Sequence, residues 1–200
     1  MTLPAEIIWT DNDIKRFVAI ATTQGAIHIA DGLRLAALTG LRRQDLVTLT
    51  WDQVGEHALQ KKALKQSRRK RRHATIPRIP QLSALLDELE TRPRRNGVNT
   101  VLVNSFGQSW SGDGFGGSFN RIRDAAGIVH VDPEAGEDKK KHLHDVRGTF
   151  CTKLILAGLT DQEAADIMGW SPDQVSGIRR VYVDQARVIV AIGERIANSL

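Results

Sequence analysis

His144 and Arg147 stand three residues apart in the run His144-Asp145-Val146-Arg147, and Gly169-Trp170 and Tyr182, the chain's only tyrosine, follow in order. Residues three apart on a helix are neighbours, so His144 and Arg147 address a common target. An imidazole and a guanidinium both donate charge-assisted hydrogen bonds, and together they suit an anionic oxygen. A phenol brought to the same place can act as a nucleophile. Each residue also has an ordinary alternative: a helix-terminal histidine beside an ion-paired arginine, a tryptophan in the core, a half-buried tyrosine. It is their ordered occurrence that favours chemistry.

Two upstream stretches could complete such a site. In Thr39-Gly40-Leu41-Arg42-Arg43-Gln44-Asp45-Leu46, a glycine turn sets an arginine at the start of a helix, where backbone amides and a guanidinium can hold a phosphate together. The alternative is a solvent-facing arginine pair with Asp45 as its local partner. Between positions 61 and 72 there are eight Lys or Arg residues, Arg68, Arg69, Lys70, Arg71 and Arg72 among them. Such a block is either a solvated turn or a hairpin laid along a DNA groove, gripping phosphates. A lysine there can also serve as a general acid, because an ammonium can protonate a leaving alkoxide.

Composition narrows the class. The 200 residues allow one sizeable domain, and 28 Lys and Arg against 23 Asp and Glu give a net charge of +5. That balance favours a polyanionic partner. Cys151 is the only cysteine, so an internal disulfide is excluded; amid apolar residues it reads as a buried, inert thiol in a reducing compartment. No apolar run approaches the roughly 20 residues of a membrane span, and the first residues lack the pattern of a signal peptide, so a cytoplasmic location is expected.

The elements that must position these residues are mostly helical. Thr10-Asp11-Asn12-Asp13 predicts a helix start, and Ile27 to Leu38 a second helix with Ile27, Ala30, Leu33, Ala37 and Leu38 as its apolar stripe, ended by Gly40. A short third helix carries Arg42, Arg43, Asp45 and Leu46. Ala58 to Lys65 and His73 to Pro77 predict two strands around the basic turn. Pro80 opens a helix with Leu82, Leu85, Leu86 and Leu89 on one face. Thr100 to Asn104 reads as a third strand, Gly107 to Gly117 as a loop leading into a helix around Phe119 to Ala126, and Asp132 to Lys141 as a mobile charged segment. Helices are expected at 144–157, 161–168, 172–181 and 185–198, with Thr160 and Glu163 forming a capping box. The fold class is mainly α with a small antiparallel β-sheet, in one domain.

The order Arg…Lys…His-x-x-Arg…Trp…Tyr, with Thr39-Gly-Leu-Arg-Arg-Gln-Asp-Leu, His144-Asp-Val-Arg-Gly-Thr-Phe and Ile167-Met-Gly-Trp…Val181-Tyr182, resembles the catalytic domain of the tyrosine recombinase (phage integrase) family. The resemblance runs from about Trp9 to the C-terminus. It implies a catalytic set of Arg42, a hairpin lysine, His144, Arg147, Trp170 and the nucleophile Tyr182, with Asp45 where the family often has a bracing acid. Lys65 is the preferred lysine and Lys70 the alternative. Arg43 and the basic residues Arg68, Arg69, Lys70, Arg71 and Arg72 would contact double-stranded DNA. Val146 and Gly148 stand where leucine and histidine are commoner.

The implied chemistry is metal-independent and cofactor-free phosphoryl transfer that cuts and rejoins DNA through a 3′-phosphotyrosyl intermediate. Two rival outputs are a non-catalytic DNA-binding remnant and a type IB topoisomerase-like strand transferase. Family members usually carry an N-terminal helical domain that clamps the far side of the DNA; here residues 1–200 read as the catalytic domain without it. The helix from Gln185 to Asn198 is amphipathic through Val188, Ile189, Ala191, Ile192 and Ile196. It would either pack on its own core or dock into a neighbouring subunit of a tetramer on DNA.

Overall fold

In the computed structural model, residues 7–62, 73–131, 138–182 and 185–198 are described, with side chains for all of these except 181, 182 and 185–188. At the centre stands α2 (Ile27–Thr39), which packs against α1 (Asp11–Thr23), α3 (Arg43–Val47), α4 (Pro80–Glu90), α5 (Gly112–Ala125) and α6 (Asp145–Leu156). This encirclement corrects the expected single stripe. Ile29, Leu35 and Ala36 are buried as well as Ala30 and Leu33, whereas Ile27, Ala37 and Leu38 are only partly covered. A helix surrounded by neighbours buries several faces, which a one-stripe pattern does not describe.

Local signals account for most helix ends. Thr10 caps α1 reciprocally with Asp13, and Thr160 caps α7 (Asp161–Met168) with Glu163 in the same way. Pro80 occupies the first turn of α4, where its missing N–H costs nothing. The α4 carbonyls at Leu89 and Glu90 accept hydrogen bonds from the Arg94 guanidinium. Arg92 makes a bidentate pair with buried Asp31, at 2.7 and 3.0 Å, and so ties α4 to α2.

The β structure among the described residues is two separate antiparallel ribbons, a correction to the single sheet. The first pairs β1 (Ala58–Lys62) with β2 (His73–Pro77), as expected for two strands flanking the basic turn. The second pairs β3 (Val129–Val131) with β4 (Asp138–Lys140), so part of the stretch expected to be mobile is a strand. Its β4 side chains are all exposed, so no apolar alternation marked it. The strand expected at 100–104 forms only isolated bridges, Thr50 with Thr100 and Val103 with Ser109, although Val101, Leu102 and Val103 are buried. Helix α5 begins at Gly112, earlier than expected, because Ser111 caps it by accepting from the Gly114 N–H.

Among the described residues two apolar clusters fill the interior. The larger gathers α1 to α5 and the start of α6; the smaller joins α6, α7 and α8 (Pro172–Tyr182) around Phe150, Cys151, Ile155, Ala164, Met168, Val175 and Ile178. Helix α6 belongs to both, through Val146 in the first and Phe150, Cys151 and Ile155 in the second. Helix α9 (Gln185–Ala197) follows and touches α6, with Ile189, Val190 and Ile196 exposed. Among the described residues no helix is long and apolar enough to cross a membrane.

Candidate active site

The seam between the two clusters holds the site. Helix α2 ends at Gly40, whose φ of 60° is left-handed and whose missing side chain leaves room for the Phe150 ring. The chain then turns, and Arg42 becomes the N-cap residue of α3. Across the seam, Arg147 projects from the first turn of α6 and is 7% exposed. Its guanidinium carbon lies 5.2 Å from the centroid of the Trp170 ring, a cation–π contact. Trp170 reaches that place because α7 ends in a left-handed turn at Gly169, where the β2 backbone at Ala74 comes within 3.2 Å of where a Cβ would stand.

Arg147 is held charged but poorly satisfied. Burial, together with the nearby Arg42 charge, pushes its pKa down to about 9, against the opposing pull of Asp45 and Cys151. Even so it stays protonated at neutral pH. Its Nη2 is buried with no hydrogen-bond partner among the described residues. An unpartnered buried donor costs about 1–3 kcal/mol, so the position favours an acceptor at Nη2. Burial also lowers the Lys61 pKa, and the charge of buried Asp45 on α3 partly opposes that lowering at both Arg147 and Lys61.

His144 is exposed at the N-cap of α6. Its Nδ1 is 3.0 Å from Asp145 Oδ1, and this hydrogen bond raises the imidazole pKa above its ordinary value, against burial and the Arg147 charge. With Nδ1–H donated to the carboxylate, Nε2 carries the lone pair of the neutral ring, the form a general base needs. The second Asp145 oxygen accepts from the His142 N–H at 2.7 Å. The segment is pinned from below: Trp9 Nε1–H donates to the His142 carbonyl, and Lys141 Nζ donates to Asp13 and to the Ile8 carbonyl.

Arg42, Arg43, Asn120, His142, His144 and Arg147 line one cleft of about 370 Å³, with Phe119 and Leu143 supplying apolar wall. Among the described residues no carboxylate lines it, so its field favours an anion. Arg43 is exposed and crosses α5 where Gly116 leaves space, 3.2 Å from Asp113. Of the other expected site residues, Lys65, Arg68, Arg69, Lys70, Arg71 and Arg72 lie outside the described residues. Tyr182 is the last residue of α8, and only its backbone is described. Lys61, counted in the basic run, does not join a DNA-facing surface: it is buried in β1 and donates to the Thr48 carbonyl and Gln53 Oε1. Among the described residues no three His, Cys, Asp or Glu side chains converge as metal ligands do.

Sequence reasoning did not single out His142, Asn120 or the buried Arg123 that contacts both. His142, two residues before His144, was the one with a visible signal. Asn120 enters the cleft only because α5 docks beside α3.

Comparison with known proteins places this geometry. The phage integrase family model matches residues 8–187. A lambda integrase dimer bound to a COC′ core site superposes with a TM-score of 0.67 at 19% identity, over 88% of this chain and 49% of that one. The Tn1549 transposon integrase in complex with circular intermediate DNA gives 0.67 and 19%, over 96% and 68%. XerA recombinase gives 0.62 and 19%, over 98% and 66%. This chain therefore spans about half the length of the lambda integrase chain it matches. The comparison with curated proteins found no match. With a match over nearly its full length, the chain belongs to the phage integrase family, and its fold is that of the tyrosine recombinase catalytic domain.

Proposed function

We propose that residues 1–200 form a catalytic domain that cuts and rejoins double-stranded DNA through Tyr182. The observation that carries this reading is Arg147, a charged, buried guanidinium whose Nη2 has no partner among the described residues, over Trp170 and beside Arg42 in a cleft that no described carboxylate lines. A scissile phosphate supplies the missing acceptor. Two arginines on its non-bridging oxygens stabilise the charge that develops in the transition state.

Tyr182 Oη attacks phosphorus, the bond from phosphorus to the 5′-oxygen breaks, and a 3′-phosphotyrosyl strand remains. The phenol proton passes to His144 Nε2. Lys65, or alternatively Lys70, protonates the leaving 5′-oxygen. Attack by another 5′-hydroxyl reverses each transfer and frees Tyr182, so strands rejoin without ATP. The exposed Ile189, Val190 and Ile196 of α9 support self-association on DNA, as the neighbours include a lambda integrase tetramer bound to a Holliday junction.

The test uses nicked suicide duplexes, wild-type protein and Tyr182→Phe, with no added metal. A protein–DNA band that survives denaturing electrophoresis and disappears in Tyr182→Phe is expected. Salt-sensitive DNA binding without any covalent band would instead make the chain a binding module.

A further inference from the structure

The two histidines of the cleft have opposite polarity. His144 turns its Nδ1 to a carboxylate, but His142 turns its Nδ1 to Arg123 Nη1 at 3.1 Å. A guanidinium only donates, so His142 Nδ1 is an acceptor there and the ring hydrogen sits on Nε2. The same Nη1 lies 2.9 Å from Asn120 Oδ1, which fixes the amide orientation and leaves Nδ2, with its two hydrogens, as the free end. Arg123 itself is 3% exposed. It is locked by Asp124, whose Oδ1 accepts from Nε at 2.9 Å and from Nη2 at 2.8 Å, and by the Lys141 carbonyl at 3.3 Å. One buried cation thus occupies the acceptor atoms of both side chains.

We infer that Asn120 and His142 form a second, uncharged phosphate-binding pair in this cleft, made donor-only by Arg123. Its ligand is a DNA backbone phosphate neighbouring the one gripped by Arg42 and Arg147. Both side chains are exposed and line the cleft that holds those arginines. Arg123 is a positioning residue: it touches no DNA and acts by deciding which atoms Asn120 and His142 present. The inference rests on the DNA-recombinase reading, because the same cleft must hold the backbone.

The test titrates a fluorescent duplex with wild-type protein, His142→Ala, His142→Gln, Asn120→Ala and Asn120→Asp across a range of salt concentrations, with thermal melts of each. His142→Ala weakens binding about tenfold, roughly the worth of one hydrogen bond to a charged group. The salt slope stays unchanged, because a neutral donor releases no counterion. His142→Gln, which can accept from Arg123 and donate to phosphate, restores most of the affinity. Asn120→Asp turns the free end into an acceptor, so it binds more weakly than Asn120→Ala while melting higher than wild type, its carboxylate now facing Arg123. A purely structural role predicts that folded Asn120→Ala binds DNA as well as wild type, and that Asn120→Asp is weakened only by its new charge, with a changed salt slope.

Unchanged affinity in His142→Ala and Asn120→Ala, with wild type forming the Tyr182 adduct, overturns the pair and leaves the recombinase reading standing. A salt slope lowered by about one in His142→Ala overturns the neutral tautomer. A lower melting temperature for Asn120→Asp overturns the orientation assigned to Asn120. Absence of salt-dependent DNA binding by the wild-type protein overturns both readings together.

Discussion

Arg147 sits where its own burial opposes folding. Its cation–π contact with Trp170 contributes about 0.5–2 kcal/mol. Against that stand burial, the nearby Arg42 charge and an unpartnered Nη2. Arg147→Met keeps an unbranched apolar stem and removes the buried charge. It should raise stability by about 1 kcal/mol in denaturant titration while abolishing the covalent adduct. His144 gives a pH signature. Its pKa is raised in the folded state, so its stabilising contribution relative to His144→Ala is fully present below the unfolded value of about 6.5 and lost as pH rises through the higher folded value. Melting curves of the two proteins should therefore converge with increasing pH. The gap stays small, because the imidazole is largely exposed to solvent.

Helix ends place the arginines, and the two glycines near them act through different physics. Gly40 is left-handed, and a Cβ there would run into the Phe150 ring. Gly40→Ala should cost about 2–4 kcal/mol, from backbone strain plus overpacking, and should shift Arg42 with it. Gly116 sits inside α5 with ordinary helical geometry, and a Cβ there meets only the flexible end of Arg43. The space it leaves matters for where Arg43 lies, not for the backbone. Helix α6, expected at 144–157, forms without an amphipathic stripe. It buries Val146, Arg147, Thr149, Phe150, Cys151, Thr152 and Ile155, so it has no polar face from which a stripe could be read.

For the whole molecule, the division into two apolar clusters joined by α6 puts the cleft at a seam. Arg42 and Arg43 come from the larger cluster's helices, and Trp170 and Tyr182 from elements of the smaller one. Trp9 and Lys141 reach across to hold the His142–His144 segment against α1. The geometry of the cationic cleft therefore depends on how the clusters dock, not on any single element.

Residue types and spacing by themselves determined the mainly helical class, the capped starts of α1 and α7, the glycine end of α2, the hairpin strands and the candidate set Arg42, His144, Arg147, Trp170 and Tyr182. These are local: caps, turns and helical periods act over three or four residues, and a motif's order survives in the chain. Tertiary structure alone decided that β3 and β4 pair through their backbones, that Lys61 turns inward, and that α5 brings Asn120 to the cleft. It also decided that His142 and His144, two residues apart, present opposite hydrogen-bonding faces. Their neighbours differ: Arg123 is distant in sequence from His142, while Asp145 is adjacent to His144. A side chain's polarity is set by the partner across the gap, and that partner is known only once the chain has folded.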